Sequence, residues 1–237
     1  MENDCGISLA VGKQRIDIDG TGHHIMVYCA DRRNPVFERL TELTTLFSQD
    51  RKNRIAKCGK GSQKVLSAAA GLCMLEGLRD AGIDEAAMRY GADAHGKPFI
   101  CDHPEIAFNI SHSGDYAAAV FVRPGTESDC AESVHTIYSA GIDIERIGRM
   151  NERIARILRE TDGDLETKEE LCRIWTAREA FVKCTGIGLA GIRDDFHFEK
   201  SENGDPVLRQ ELFEGDFTVI EPEAPEGYCI TVVVRKY

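Results

Sequence analysis

The 237-residue chain has no long hydrophobic run and no paired cysteine motif. None of its apolar stretches approaches the roughly 20 residues that a membrane-spanning helix needs, so no transmembrane segment is expected. Its nine cysteines include no CxxC pair, which disfavours a zinc ribbon or a disulfide framework and favours reduced, mostly buried thiols. The first residues lack the basic start and apolar core of a signal peptide. We therefore expect a cytoplasmic protein.

The chain also lacks an excess of basic residues. Its formal net charge is −11, so binding to a nucleic-acid backbone is not expected. Basic side chains nevertheless cluster locally, and the cluster consists of Arg51, Lys52, Arg54, Lys57, Lys60 and Lys64. Such a cluster suits a small polyanion better than a polymer, although a solvated helix face would have the same composition.

Hydrophobic periodicity predicts strands mixed with a few helices, which favours an α+β fold over a doubly wound one. Helices are expected at 36–48, 62–79, 150–160 and 166–185. Strands are expected at 25–30, 98–101, 106–110, 116–122, 136–145, 196–200, 217–220 and 228–234. The polar stretch 123–135 is expected to be a loop at the boundary of two halves.

Two carboxylates stand two residues apart in the apolar run Gly141-Ile142-Asp143-Ile144-Glu145. Alternate residues of a strand share a face, so Asp143 and Glu145 are expected to point one way and Ile144 the other. Buried carboxylates need a partner or a metal. The run therefore favours metal or substrate chemistry over a surface strand with exposed acids.

The predicted helix 166–185 carries a second group of polar residues. Trp175, Glu179 and Lys183 occupy positions i, i+4 and i+8 and form one stripe. Glu179 and Lys183 alone would suit an ordinary surface pair, but the single tryptophan on their stripe indicates a partly buried face. Two strand carboxylates and one helix carboxylate would make a hard-cation site suited to Mg²⁺.

The segment Phe108-Asn109-Ile110-Ser111-His112-Ser113-Gly114 ends an apolar strand in a polar turn. Ser111 and His112 could hydrogen-bond a phosphate, whereas a plain hairpin turn has the same pattern. A Ser–His nucleophile pair is not expected, because adjacent strand residues face opposite ways. The chain has no P-loop or Rossmann glycine pattern.

Four pieces of the sequence together resemble the Sfp-type 4′-phosphopantetheinyl transferases. They lie at 96–98, 108–113, 141–145 and 175–189, in the family's order and with similar gaps. The resemblance implies an α+β fold of two similar halves with pseudo-twofold symmetry and an active site in the cleft between them. The halves are expected at 25–125 and 126–237, after an N-terminal extension at 1–24. The length favours the monomeric type.

The resemblance implies transfer of the 4′-phosphopantetheine arm of coenzyme A to a serine of an apo acyl or peptidyl carrier protein. Fatty-acid, polyketide or nonribosomal-peptide synthesis would use the product. Mg²⁺ would be the cofactor, held by Asp143, Glu145 and Glu179. Glu179 could take the serine proton, and Lys183 would contact phosphate and assist the proton transfers.

The resemblance also implies a set of coenzyme A contacts: Arg51, Arg54, Lys64, Gly96, Lys97, Pro98, Ser111 and His112. The first three would meet the 3′-phosphate, the next three the adenine side, and the last two a phosphate. Two departures stand out. Lys64 occurs where an arginine is usual, and Arg178 occurs where a lysine is usual, which keeps the charge but changes its geometry.

Two other function classes stay open. One is a non-catalytic module that binds coenzyme A or a nucleotide, and the other is a Mg²⁺-dependent hydrolase or nucleotidyltransferase. The intact acids argue against the first, and the missing phosphate-loop pattern weakens the second. A carrier would dock on an apolar patch containing Ile147 and Met150, with charge complementarity from Arg146, Arg149 and Arg153.

Overall fold

The computed structural model describes residues 10–18, 23–93, 96–123, 138–163, 165–188 and 196–237. Within these ranges the chain forms five α-helices and eleven strands arranged in antiparallel sheets. The α+β class predicted from the sequence is therefore confirmed. No helix in the described ranges is long and apolar enough to cross a membrane.

The elements follow one another in a mixed order. The strands are β1 (Val11–Asp17), β2 (His24–Asp31), β3 (Tyr90–Ala92), β4 (Pro98–Ile100), β5 (Ala107–Ser113), β6 (Tyr116–Arg123), β7 (Tyr138–Arg146), β8 (Phe196–Lys200), β9 (Pro206–Gln210), β10 (Asp216–Ile220) and β11 (Tyr228–Lys236). The helices are α1 (Leu40–Thr45), α2 (Gln49–Lys57), α3 (Gly61–Asp80), α4 (Glu152–Thr161) and α5 (Lys168–Thr185). Short 3-10 turns lie at Pro35–Arg39, Glu85–Ala87 and Ile147–Arg149.

Two sheets and two long helices make the main layers. The first sheet has the order β1-β2-β6-β5, and α3 packs on it through side chains such as Leu72 and Phe121. The second sheet has the order β10-β11-β7, and α5 packs on its outer face. Between the sheets lies a third apolar cluster that includes Val27, Val120 and Ile142. Each such buried side chain contributes roughly 1.5–3 kcal/mol.

Local sequence sets both ends of α5. Thr167 and Glu170 form a reciprocal capping box at its start, and Gly186 adopts a left-handed conformation with φ of 75° at its end. A Cβ at Gly141 would overlap the backbone of Ala180 and Cys184. Glycine at this position therefore lets α5 lie directly against β7.

The stretch 1–24, expected as an N-terminal extension, contains β1, which pairs with β2. Two predictions of local structure differ from the fold. The helix expected at 36–48 is divided into a 3-10 turn and α1. The helix expected at 62–79 is α3, which begins one residue earlier, at Gly61. Most of the loop expected at 123–135 lies outside the described residues.

The cysteines agree with the expectation of reduced thiols. All seven cysteines in the described residues are free. Four of these are buried, namely Cys73, Cys172, Cys184 and Cys229. Burial raises the pKa of Cys73 and Cys184, which keeps these two thiols protonated and unreactive.

Candidate active site

The candidate site forms where β5 and β7 lie side by side as edge strands of the two sheets. The Ser111 hydroxyl donates to Asp143 Oδ1 at 2.6 Å, and the Ser113 hydroxyl donates to Glu145 Oε2 at 2.5 Å. Each pair is separated by 32 residues, so the two strands run in the same direction. We call this line of contact, from Ala107–Ser113 to Tyr138–Arg146, the β5–β7 seam.

The alternation predicted for β7 is confirmed. Ile142 and Ile144 belong to the apolar cluster between the sheets. Asp143 is only 3% exposed and, with the half-buried Glu145, points to the other side of the strand. Although β7 is an edge strand by hydrogen bonding, the neighbouring β5 covers it, which explains why its carboxylates are buried.

Helix α5 places a cation on the seam. Lys183 Nζ lies 2.6 Å from Asp143 Oδ1 and 3.0 Å from Ser111 Oγ, and it also donates to the carbonyl of Ile142 at 3.3 Å. Lysine, hydroxyl and carboxylate therefore close a triangle of hydrogen bonds. The stripe predicted on this helix is also confirmed, because Trp175, Glu179 and Lys183 are all partly buried.

Burial, together with neighbouring negative charge, raises the pKa values of two carboxyl groups at the site. Burial, reinforced by the charge of Asp143, raises the pKa of Glu179 to about 7, while Lys183 opposes the shift. Burial also raises the pKa of Glu145, and the hydrogen bond from Ser113 opposes that shift. The charges of Lys183 and Arg149 act in the opposite direction but leave both pKa values raised.

The donor atoms of the seam fit a hard cation. Asp143 Oδ2 is buried and has no hydrogen-bond partner, although an orphaned buried carboxylate oxygen is costly. No three potential ligands in the described ranges converge as a ready-made metal cluster. Instead, Lys183 and Ser111 engage the other oxygen of Asp143. Carboxylate oxygens of this kind suit Mg²⁺.

His112 is placed differently from Ser111. It is exposed, whereas Ser111 is 8% exposed and hydrogen-bonded to Asp143. Successive residues of a strand face opposite sides, so the structure separates the imidazole from the carboxylates. The sequence analysis missed Ser113, although its spacing of two from Ser111 placed it on the same face.

The glycine-lysine-proline piece forms a turn before β4. Gly96 has a positive φ of 85°, and its N–H donates to the carbonyl of Asp93 at 3.0 Å. The Lys97 ammonium donates to Ser139 Oγ and to the carbonyl of Cys184, each at 2.7 Å. Pro98 lines a small cavity of about 130 Å³. The Lys97 side chain thus contacts the protein itself.

The structure separates the basic residues expected to meet a 3′-phosphate. Arg51 is 7% exposed and packs in the core near Gly71. Burial lowers its pKa, and the nearby Tyr90 and Glu85 oppose that shift. Arg54 is exposed and lines a cavity of about 420 Å³ together with Asp50, Asn53, Lys57 and Tyr90. Lys64 is half-buried on α3.

Two further residues have roles that the sequence did not reveal. Arg178 is fully buried, pairs with the buried Asp162 at 2.8 Å, and lies 4.4 Å from the ring centre of Phe196. Arg178 therefore packs α5 against Asp162 and the start of β8. Met150 is 4% exposed in the core beside α5, so its predicted place on a docking surface is wrong. The arginines expected beside it are exposed: Arg146, Arg149 and Arg153.

Comparisons with known proteins found one family model and several similar proteins. Residues 139–233 match the family described as the 4′-phosphopantetheinyl transferase superfamily. A 4′-phosphopantetheinyl transferase of Bacillus subtilis is 31% identical over 131 residues, which cover 52% of each protein. The transferase Sfp of Bacillus subtilis strain 168 is 31% identical over 130 residues, with the same coverage. A solved holo-(acyl-carrier-protein) synthase from Bacillus anthracis, in complex with CoA (3′,5′-ADP), has a TM-score of 0.31 and 19% identity. It covers 41% of this chain and 94% of its own.

The chain spans about half the length of the curated relatives it matches. The matched stretch contains both strand carboxylates and both polar residues of α5 that meet at the seam. The resemblance found from the sequence motifs is therefore confirmed. Residues 139–233 of this chain are thus similar to the 4′-phosphopantetheinyl transferase superfamily.

Proposed function

We propose that this protein transfers the 4′-phosphopantetheine arm of coenzyme A to a serine of an apo acyl or peptidyl carrier protein. The observation that carries the proposal is the triangle of Lys183, Ser111 and Asp143 on the seam, with Glu179 beside it. In this arrangement, the ammonium of Lys183 and the hydroxyl of Ser111 can bind phosphate. The neighbouring carboxylates can hold a metal ion. The superfamily match over residues 139–233, which include Asp143, Glu179 and Lys183, supports this reading.

Each polar group has a role that its chemistry allows. Lys183 and the Ser111 hydroxyl would bind oxygens of the diphosphate and hold it in line with the attacking serine. Glu179 would accept the proton of that serine, directly or through water, because a carboxylate beside the reacting groups can act as a general base. Phosphoryl transfer depends mainly on such positioning and on charge stabilisation.

Mg²⁺ is the proposed cofactor. Asp143, Glu145 and Glu179 would hold it, and the unpartnered oxygen of Asp143 supports this set. When bound, the ion would neutralise charge on the diphosphate oxygens. Its charge would also relieve the mutual repulsion of the three carboxylates, which is the main electrostatic cost of the metal-free site after burial.

The remaining family features are part of the same proposal. The chain would consist of two related halves, each with a sheet and a long helix, and would act as a monomer. The turn at Gly96–Pro98 would lie on the adenine side of coenzyme A, and Arg54 would meet its 3′-phosphate from the cavity beside Tyr90. The carrier would approach over the exposed arginines after β7, with its acidic residues facing them.

Mass spectrometry of a panel of apo carrier proteins tests the function. Each carrier is incubated with this protein, coenzyme A and Mg²⁺, and a mass gain of one phosphopantetheine arm with release of 3′,5′-ADP is expected. Glu179→Gln is the matched variant, because it keeps the side-chain shape but cannot accept the proton. Coenzyme A binding without modification of any carrier would instead support a non-catalytic binding module.

A further inference from the structure

Lys97, which lies outside the β5–β7 seam, contacts the end of α5, the helix that contributes Glu179 and Lys183 to the seam. Lys97 lies in the turn before β4, far from α5 in sequence. Its ammonium donates to the carbonyl of Cys184 and to the hydroxyl of Ser139, each at 2.7 Å. Ser139 also donates to the same carbonyl at 2.5 Å. Three segments of the chain, the β4 turn, the start of β7 and the end of α5, therefore meet at one oxygen.

That oxygen is one of the few in α5 that need an outside partner. The last four carbonyls of a helix have no intrahelical donor, and a cation there also interacts favourably with the helix dipole. Cys184 lies next to the end of α5 at Thr185, and Gly186 terminates the helix. Lys97 thus supplies both the missing donor and the charge. Burial lowers the pKa of Lys97, so its partners are needed to hold the ammonium there.

The position of the contact matters because Cys184 directly follows Lys183. Helix α5 rests on β7 at Gly141, where no side chain separates the two backbones. The Lys97 contact fixes the helix at its end, one residue from the ammonium that holds Asp143. A shift of α5 along β7 would move Lys183 and Glu179 together relative to the strand carboxylates.

We infer that Lys97 is a positioning residue of the proposed transferase, which sets the register of α5 against β7 through the carbonyl of Cys184. This inference rests on the proposed function for its kinetic consequence only. Its structural consequence concerns the free protein. The role differs from a contact with coenzyme A, because the ammonium is already engaged by Ser139 and Cys184.

Hydrogen exchange tests the structural consequence without any substrate. Lys97→Met keeps the length of the side chain and removes the donor. Amides at the end of α5 should exchange roughly tenfold faster, the size expected for losing one hydrogen bond from a charged group. Lys200→Met is the matched control, because Lys200 pairs with Glu170 at 2.7 Å near the opposite end of the same helix. Unchanged exchange at the end of α5 in Lys97→Met would overturn the inference.

A second variant keeps the test valid if Lys97→Met does not fold. Ser139→Ala removes the other donor to the Cys184 carbonyl and leaves the lysine in place. It should speed exchange in the same segment, by less than Lys97→Met. Protection equal to that of the unmodified protein would show that this junction does not hold the helix, and would also overturn the inference.

Steady-state kinetics distinguish a positioning role of Lys97 from a direct contact with coenzyme A. Lys97→Met should lower kcat roughly tenfold and leave KM for coenzyme A within about twofold, since the displaced groups act in the transition state. A raised KM with an unchanged kcat would mean that Lys97 binds coenzyme A and would overturn the positioning role. If the unmodified protein transfers nothing, the proposed function fails, while the exchange experiment still decides the structural role of Lys97.

Discussion

The β5–β7 seam and helix α2 both contain charged residues that the sequence motifs single out, but they use those residues differently. At the seam, Ser111, Asp143 and Lys183 converge within hydrogen-bond distance. On α2, Arg51 is in the core while Arg54, three residues later, is exposed. The seam brings residues from distant parts of the chain together, whereas α2 separates near neighbours.

Burial explains the divergence on α2. Arg51 and Ile55 are the buried residues of this helix and stand four positions apart, on one stripe. Ile55 packs in the core, and Arg51, on the same stripe of the helix, is therefore buried as well. Its guanidinium lies close enough to Glu85 to interact with that carboxyl group. A basic cluster in a sequence therefore reveals charge but not which member faces a ligand. Strand alternation is more informative, because both faces of β7 are fixed by their neighbours.

The largest expected effect concerns the cation of the seam. Lys183→Met should lower kcat by about 100-fold while weakening coenzyme A binding much less, because the ammonium acts mainly as charge develops on the phosphate. Steady-state kinetics and a separate binding titration measure the two quantities. Lys200→Met is the control, because Lys200 lies in β8 and pairs with Glu170 near the other end of α5. An unchanged kcat would leave Lys183 as a structural ion-pair partner of Asp143 only.

The next prediction is that substitutions of the two arginines of α2 change the free energy of unfolding by different amounts. Arg51→Ala should lower the free energy of unfolding by about 1–3 kcal/mol, because it empties a packed site beside Gly71 and removes a neighbour of Glu85. Arg54→Ala, on the exposed side, should change it by less than about 0.5 kcal/mol. Urea unfolding measures both. Equal losses would contradict the separation of the two side chains.

Ligand binding should show the opposite order on α2. Arg54→Ala should weaken coenzyme A by roughly threefold to fivefold, the range of an exposed ion pair, and should leave 3′-dephospho-coenzyme A unaffected. Only coenzyme A carries the extra phosphate. Calorimetric titration of both ligands checks this. An equal loss for both would assign the cavity beside Tyr90 to another part of the ligand or to the carrier.

A separate prediction is a pH dependence of the unfolding free energy in the absence of divalent cations. The carboxyl of Glu179 has an ordinary pKa of 4.5 and a pKa of about 7 in the fold. Between these values the folded state binds more protons, so the contribution of Glu179 to stability falls as pH rises from about 4.5 to about 7. Glu179→Gln should flatten this part of the profile. Identical profiles of the unfolding free energy for both proteins would contradict the raised pKa.

Sequence periodicity predicted the parts of the site that depend on one element at a time. The spacing of Asp143 and Glu145, and that of Glu179 and Lys183, follows from strand and helix geometry. The meeting of β5 with β7 could not be derived this way, because it depends on how two sheets pack. Three further features also depend on packing between elements and could not be predicted from the sequence. They are the Arg178–Asp162 pair, the contact of Lys97 with Cys184 and the burial of Met150. The bounds of β1 could not be predicted for a different reason, since its polar residues leave no clear alternation.

A single-turnover rate decides whether the seam performs the chemistry. At saturating coenzyme A, Mg²⁺ and carrier, Asp143→Asn should transfer the phosphopantetheine arm about 100-fold more slowly or worse, because it removes a charge that the reaction site needs. Asp205→Asn, which alters an exposed partner of Arg173, should keep the rate of the unmodified protein. A near-normal rate for Asp143→Asn in a protein that modifies carriers would contradict the assignment of the seam as the active site.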